Sequence, residues 1–258
     1  MHYYLLELQY LGFRFHGWQL QKDVKTVQYM LNRTLITVLG HDQFKTMGAS
    51  RTDSMVSANH HFCQLALREE INLETFKEKL NYNLPQDIRI LAINHRDKKF
   101  DLLNSKKRKI YHYYFSHGKK THPFCAPFIT NMIDTLDIPA MKNAAKCFEG
   151  EHNFIKYCYR GSEKKQYIRT IESCSIELND DFQGKYFPKE VYCLKVIGNG
   201  FLRNQIRIMM GALFQVGLGQ LTQDELINSL KLDATSDGQH IGFIAPASGL
   251  ILQDNQFT

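Results

Sequence analysis

Five residues of this chain have types and surroundings suited to chemistry: one carboxylate, three arginines and a tyrosine. The carboxylate is Asp53, in the run Ala49-Ser50-Arg51-Thr52-Asp53-Ser54-Met55-Val56-Ser57, which lies between two strand-like segments. Small and polar residues surround this single acid, and loops held by a rigid scaffold are where catalytic groups concentrate. Pattern alone favours a plainer role, a turn in which Asp53 accepts backbone N–H groups. Arg51, two residues away, suits either holding the loop or contacting phosphate. Arg203 and Arg207, in Asn199-Gly200-Phe201-Leu202-Arg203-Asn204-Gln205-Ile206-Arg207, are four apart and would share one face of a helix. They either snorkel to solvent or present planar forks to a carboxylate or phosphate. Tyr111, in Arg108-Lys109-Ile110-Tyr111-His112-Tyr113-Tyr114, reads as core by its alternation or as a stacking surface for bases by its basic neighbours.

The elements that must position these residues are legible from periodicity. Residues 3–10 alternate as a strand, with Tyr4, Leu6, Leu8 and Tyr10 on one face. The loop LGFRFHGWQLQ follows, holding Trp18, the chain's one tryptophan. Thr26 caps a helix that Gly40 ends. His61–Leu67 and Ile88–Ile93 read as strands, with a helix over Leu73–Leu80 between them. Lys109–Ser116 reads as a strand, and Met141, Ala144, Ala145 and Phe148 mark a helix. Thr170–Leu178 and Val191–Ile197 read as strands. A helix is expected from Phe201 to Val216, and Thr222 with Glu225 forms a capping box for the next. Ser248–Leu252 is expected as the last strand. The fold class is α+β, two similarly built halves with largely antiparallel sheets flanked by helices. The expected division is 1–104 and 105–258.

Charge is concentrated. The 258 residues carry a net charge of +6. Arg96, Lys98, Lys99, Lys106, Lys107, Arg108, Lys109, Lys119 and Lys120 face only Asp97 and Asp101 in the same stretch. This is either a solvated face or a phosphate-binding surface, since clustered cations release counterions from a polyanion. The aromatics of KIYHYYF after the run suit the second reading.

Several classes are excluded. No run is long and apolar enough for a membrane span, and Glu7 interrupts the N-terminus too early for a signal-peptide core. Six scattered cysteines without a CxxC pair suit reduced thiols in a cytosolic protein; Cys63, if exposed, is a candidate reactive thiol. His60-His61 is the one adjacent histidine pair, without metal-ligand spacing. Phosphate-loop, dinucleotide and serine-hydrolase signatures are missing.

The motifs, in order, resemble the TruA family of tRNA pseudouridine synthases over nearly the whole chain. Tyr10-Leu11-Gly12 with Phe15-His16-Gly17-Trp18-Gln19-Leu20-Gln21 is similar to the family's first motif, and Thr26-Val27-Gln28 follows. Arg51-Thr52-Asp53 is similar to its central RTD, and Asn83-Leu84-Pro85 with Asp87-Ile88-Arg89 to the next landmark. Tyr111 and Tyr113 resemble its YxY strand, Gly150-Glu151-His152-Asn153-Phe154 its GEHDF, and Arg169-Thr170-Ile171 its RTI. Asn199-Gly200-Phe201-Leu202 with Ile206-Arg207 and Gly211 resembles its helix motif, and Ala245-Pro246-Ala247 with Gly249-Leu250 its C-terminal signature.

The resemblance implies a pseudouridine-synthase-like fold and conversion of uridines at tRNA positions 38–40, in the anticodon arm, to pseudouridine. It implies no cofactor, no metal, and a homodimer contacting tRNA, and the cysteine usage above places the protein in the cytoplasm. Asp53 matches the family's catalytic aspartate, Arg207 the arginine that pairs with it, and Tyr111 the tyrosine beside the target base. Arg51, Arg203, Lys109, Arg108 and Leu250 join Tyr111 on the expected substrate-binding surface. The chain departs from the family pattern at Ser50 and Met55, which replace glycines, and at Ser57, which replaces a histidine. Phe100-Asp101-Leu102-Leu103 lacks an arginine the family carries, and Lys109 replaces another. Two alternatives stand beside the leading one: a paralogue acting on another RNA or uridine, and a tRNA-binding protein without catalysis. Retention of Asp53, Arg207 and Tyr111 together argues against the second.

Overall fold

The computed structural model describes residues 1–98, 100–105, 107–159, 167–235 and 239–257. Two of the basic residues noted above, Lys99 and Lys106, lie outside these. The chain forms two compact units, Met1–Lys107 with Ile251–Thr258, and Arg108–Leu250.

In the first unit the elements run β1 (His2–Tyr10), α1 (Val27–Leu39), β2 (Lys45–Gly48), β3 (Ser57–Leu67), α2 (Leu73–Asn83) and β4 (Ile88–Arg96). β1 is central, antiparallel to β3 on one side and β4 on the other, with Leu6 opposite both Cys63 and Ile93. Alternation sends Tyr4, Leu6, Leu8 and Tyr10 to one face, all buried. Leu5, on the other face, is also fully buried, against Ala49, Phe62 and Leu102, with Phe100 and Phe257 packed alongside. Both faces of β1 are therefore covered, and each fully buried leucine contributes roughly 2 kcal/mol. α1 is capped as its sequence requires: the Thr26 side chain accepts from Tyr29 N–H, and Gly40 ends it at φ 79°. Its buried stripe is Val27, Leu31 and Leu35. Cys63 lies fully buried, and burial pushes its thiol up to about 12, the environment of an inert structural cysteine.

In the second unit the elements are β5 (Lys107–Ser116), β6 (Thr130–Asn131), α3 (Ile138–Lys146), β7 (Gly150–Asn153), β8 (Ile168–Asn179), β9 (Val191–Gly198), α4 (Gln205–Gly217) and α5 (Gln223–Ser229). β5, β9, β8 and β7 pair antiparallel in that order, and β6 pairs parallel with β5. α4 is buried almost all round, and the capping box of Thr222 and Glu225 opens α5.

The last strand, β10 (Leu250–Phe257), runs beyond the expected Leu252. It pairs parallel with the start of β3, Ile251 opposite Ser57 and Leu252 opposite Ala58. β2 pairs with the other end of β3, from Lys45 opposite Ala66 to Gly48 opposite Cys63. Residues 49–56 bridge β2 and β3.

Candidate active site

The connection carrying Asp53 is clamped from beneath by the loop after β1. Trp18 N–H donates to the Thr52 carbonyl at 3.3 Å, and Met55 N–H to that of Phe15 at 2.9 Å. The Tyr10 and Thr52 hydroxyls meet at 2.9 Å in a buried contact. Gly17 makes the close approach possible. Its φ is +81°, and a Cβ there would stand 2.4 Å from the Thr52 oxygen, so a side chain is excluded by both conformation and space. Trp18 is buried and lies 4.1 Å, centroid to centroid, from the His61 ring. His61 Nε2–H donates to the Ser50 carbonyl at 2.9 Å, which fixes the tautomer. Fully buried Asn255 of β10 donates from Nδ2 to Ser50 Oγ at 3.4 Å. The loop therefore has its anchors at Ser50, Thr52 and Met55, and the half-buried Asp53 sits among them while Arg51 is exposed.

Met55, where the family pattern has glycine, adopts φ +67°. That left-handed conformation costs a non-glycine residue about 1–2 kcal/mol. Met55 thus takes a backbone conformation that glycine adopts without strain.

In the second unit, Tyr111 lies on β5 opposite Val196 of β9. Its ring is buried and meets Phe201 edge to face at 5.4 Å and 89°. Arg207 lies in the first turn of α4. Its Nε donates to the Ala245 carbonyl at 2.7 Å, and Nη1 to Asn204 Oδ1 at 3.3 Å. The Ala245 N–H returns a bond to the Arg207 carbonyl at 3.1 Å. The neighbouring Pro246 carbonyl accepts from Tyr113 Oη at 2.7 Å. Tyr113 Oη also meets Thr130 Oγ1 at 2.9 Å, and burial raises its pKa. Gly211 of α4 lets the chain at Phe243 lie against the helix, since a Cβ there would be 1.8 Å from the Phe243 oxygen. Sequence reasoning saw Tyr113 and Ala245-Pro246-Ala247 as motif residues but did not join them: the hydroxyl of one holds the loop that holds Arg207.

Arg203 requires a correction. It is not on α4 and does not share a helix face with Arg207. Asn204 is the N-cap, in the left-handed conformation at φ 61°, so the chain turns sharply between the two arginines. Phe201, expected within the helix, also precedes it. The Arg203 guanidinium instead lies 4.7 Å over the Tyr159 ring, and its carbonyl accepts from Tyr159 N–H at 3.1 Å.

The basic run is also less uniform than its sequence. Lys107 is buried, donating from Nζ to the Leu102 and Leu103 carbonyls, and burial lowers its pKa. It ties down the chain rather than facing phosphate, which corrects the reading of it as part of a binding surface. Arg108 Nε is 2.6 Å from Glu172 Oε2, exposed on both sides. Glu172 stands at the β8 irregularity between Ile171 and Ser173, where a bulge re-aims side chains. Lys109 is half-buried opposite Gly198 of β9. Leu250 is buried, its N–H donating to Ala247 at 3.0 Å. The first unit therefore holds Asp53 and Arg51. The second holds Tyr111, Arg203, Arg207, Arg108, Lys109 and Leu250.

Among the described residues, no group of three or more His, Cys, Asp or Glu side chains is placed to hold a metal ion. No described helix is long and apolar enough to cross a membrane.

Comparison with known proteins places the chain among relatives. The family model described as tRNA pseudouridine synthase matches residues 8–102 and 144–258. The tRNA pseudouridine synthase A of Thermoanaerobacter sp. (strain X514) is 34% identical over 248 residues, 96% of each chain. The tRNA pseudouridine synthase A 2 of Bacillus cereus is 31% identical over 258 residues, 100% of each. The tRNA pseudouridine synthase A of Pseudothermotoga lettingae is 32% identical over 245 residues, 95% of each.

Proposed function

This chain belongs to the tRNA pseudouridine synthase family, and from that premise we propose that it isomerises uridines at positions 38–40 of the tRNA anticodon arm, with Asp53, Arg207 and Tyr111 as its catalytic set. It is an isomerase, and tRNA is its substrate. A uridine within a stem is reached by flipping it out, at a cost of a few kcal/mol, and an aromatic ring can stack on the extruded base. Tyr111 takes that role. The ionised Asp53 carboxylate acts as nucleophile or stabilises positive charge at the sugar. The family resemblance makes Arg207 the arginine that partners it, since a guanidinium can orient a carboxylate by a charge-assisted bond.

The bond from N1 of uracil to the sugar carbon breaks, the ring rotates, and C5 bonds to the same carbon. The C5 proton then leaves, with Tyr111 the base that takes it, and N1 ends protonated. Atoms balance, so nothing need enter from outside. Arg51, Arg203, Arg108, Lys109 and Leu250 complete the substrate-binding set. We assign the enzyme to the cytoplasm on its cysteine usage, and as a homodimer on the family resemblance.

The observation that carries this reading is the clamp on the Asp53 loop. A solvent-facing turn has no need of Gly17 pressed against Thr52, a buried Tyr10–Thr52 contact and a strained Met55. Local strain of this kind persists where the surroundings over-determine it, typically at functional sites. The test is to incubate the enzyme with unmodified tRNA transcripts bearing uridines at 38, 39 and 40 and map the product by carbodiimide-dependent primer-extension stops. Stops confined to the anticodon arm are expected. Stops elsewhere would replace this target with another uridine, as the paralogue alternative holds.

A further inference from the structure

Three aromatic rings stand together on the surface of the second unit, in segments to which no role has yet been given. His122, Phe124 and Tyr186 contact one another pairwise, at centroid distances of 4.8 Å, 4.7 Å and 5.1 Å. Phe124 is 65% exposed and Tyr186 44%, and His122 is exposed as well. Large rings clustered at the surface forgo the stabilisation that burial would bring, and contiguous apolar patches of this kind mark interaction sites.

The cluster is built rather than frayed. Pro123–Cys125 form a short 3-10 turn, on which His122 Nδ1 accepts from Phe124 N–H at 3.2 Å. The buried Cys125 thiol donates to the Tyr186 carbonyl at 2.7 Å, tying the two segments together. Asn131 pins the approach, donating to the Lys119 carbonyl at 2.8 Å and accepting from Thr121 N–H at 3.1 Å.

The charge around His122 and Phe124 favours a polyanionic occupant. Residues 117–125 contain Lys119 and Lys120, both exposed, and no acid. Lys185 Nζ lies 5.8 Å from the Tyr186 ring centroid. Nearby Asp181 is engaged elsewhere, accepting from Tyr114 Oη and Asn179 Nδ2. Exposed rings edged by lysines are the chemistry that holds unpaired nucleotides, bases stacking on the rings and phosphates meeting the cations. A second copy of the chain fits less well, because a two-fold interface uses the same surface on both subunits and would draw these lysines into it from both sides.

We propose that His122, Phe124 and Tyr186, with Lys119, Lys120 and Lys185, form a stacking platform for an unpaired nucleotide of the substrate RNA, away from the reacting uridine. The rings of the platform belong to the segments around 122–125 and 186, apart from the strand that carries Tyr111. The proposal rests on RNA being the substrate and not on which uridine reacts.

Binding of a fluorescein-labelled, unmodified tRNA transcript, followed by anisotropy across a salt series, tests it. For Phe124→Ala/Tyr186→Ala the Kd should weaken about tenfold or more, as expected for loss of base–aromatic stacking. The effect should fall on KM rather than kcat, and Phe124→Trp should retain binding. Replacing Lys119, Lys120 and Lys185 by Gln should flatten the dependence of log Kd on log salt; this second variant keeps the test open should the first fail to fold. Unchanged affinity and salt dependence would overturn the platform. So would a fall in sedimenting mass, which would make the patch an interface between copies. If the wild type binds tRNA and these losses appear without pseudouridine in the anticodon arm, the target assignment fails while the platform stands.

Discussion

At the scale of single residues, the account turns on how little freedom surrounds Asp53. Gly17 cannot become alanine without a Cβ 2.4 Å from the Thr52 carbonyl and an unfavourable φ of +81°. Gly17→Ala should therefore destabilise the protein by roughly 1–3 kcal/mol and reduce pseudouridine formation more than tRNA affinity. A melt combined with a turnover assay on one tRNA checks this; an unaffected kcat would show that the clamp does not position the loop. Met55 offers the opposite change. Met55→Gly relieves about 1–2 kcal/mol of left-handed strain against roughly 0.5–1 kcal/mol of added chain entropy. It should raise stability slightly, and a lower melting temperature would contradict the strain. The triplet Arg51-Thr52-Asp53 was legible as a place for chemistry. The clamp was not, because it joins Gly17 and Tyr10 to Thr52 across the sequence, and spacing along the chain carries no record of such contacts.

At the scale of elements, long periodic segments were readable and short ones were not. α1 follows from Thr26, its apolar stripe and Gly40. β2, β6 and β7 are too short for a periodicity to register. The helix expected from Phe201 begins instead at Gln205, because Asn204 takes the left-handed conformation that ends the preceding loop. That turn separates Arg203 from Arg207, a break the four-residue spacing could not reveal.

Strand ties also give a pH dependence. His60 lies between two carboxylates, with Nδ1 2.7 Å from Asp254 of β10 and Nε2 3.0 Å from Glu7 of β1. Burial acts to raise the pKa of Asp254, but hydrogen bonds from His60, Gln256 and the Asn255 backbone outweigh it and hold it below the ordinary carboxylate value. A lowered carboxylate contributes stability that is present above its unfolded value, near 3.9, and is lost as pH falls through the folded one. Asp254→Asn should cost a few tenths to about 1 kcal/mol at neutral pH, partly screened by solvent. The gap between variant and wild type should close in denaturant titrations below about pH 4. A gap that persists undiminished in acid would remove the electrostatic explanation.

At the scale of the whole molecule, the chain's two compact units are not two consecutive stretches. Ile251–Thr258 belongs with Met1–Lys107, where β10 pairs with β3 and Asn255 reaches Ser50. Deleting residues 251–258 should therefore disturb the loop carrying Asp53 as well as stability, lowering the amide protection of β3 in hydrogen exchange; protection unchanged at Ser57 and Ala58 would speak against that coupling. The excess positive charge was legible from composition as a sign of a polyanionic partner. Its partition was not: Lys107 turned inward, Arg108 took Glu172, and Lys98, Lys119 and Lys120 stayed exposed.

The central claim is that Asp53 performs the isomerisation. The measurement that tests it most directly is pseudouridine formation by Asp53→Asn on a tRNA the wild type modifies, with binding of that tRNA measured in parallel. Product should disappear while affinity stays within a few-fold of wild type. Product formed at a wild-type rate by Asp53→Asn would contradict the claim.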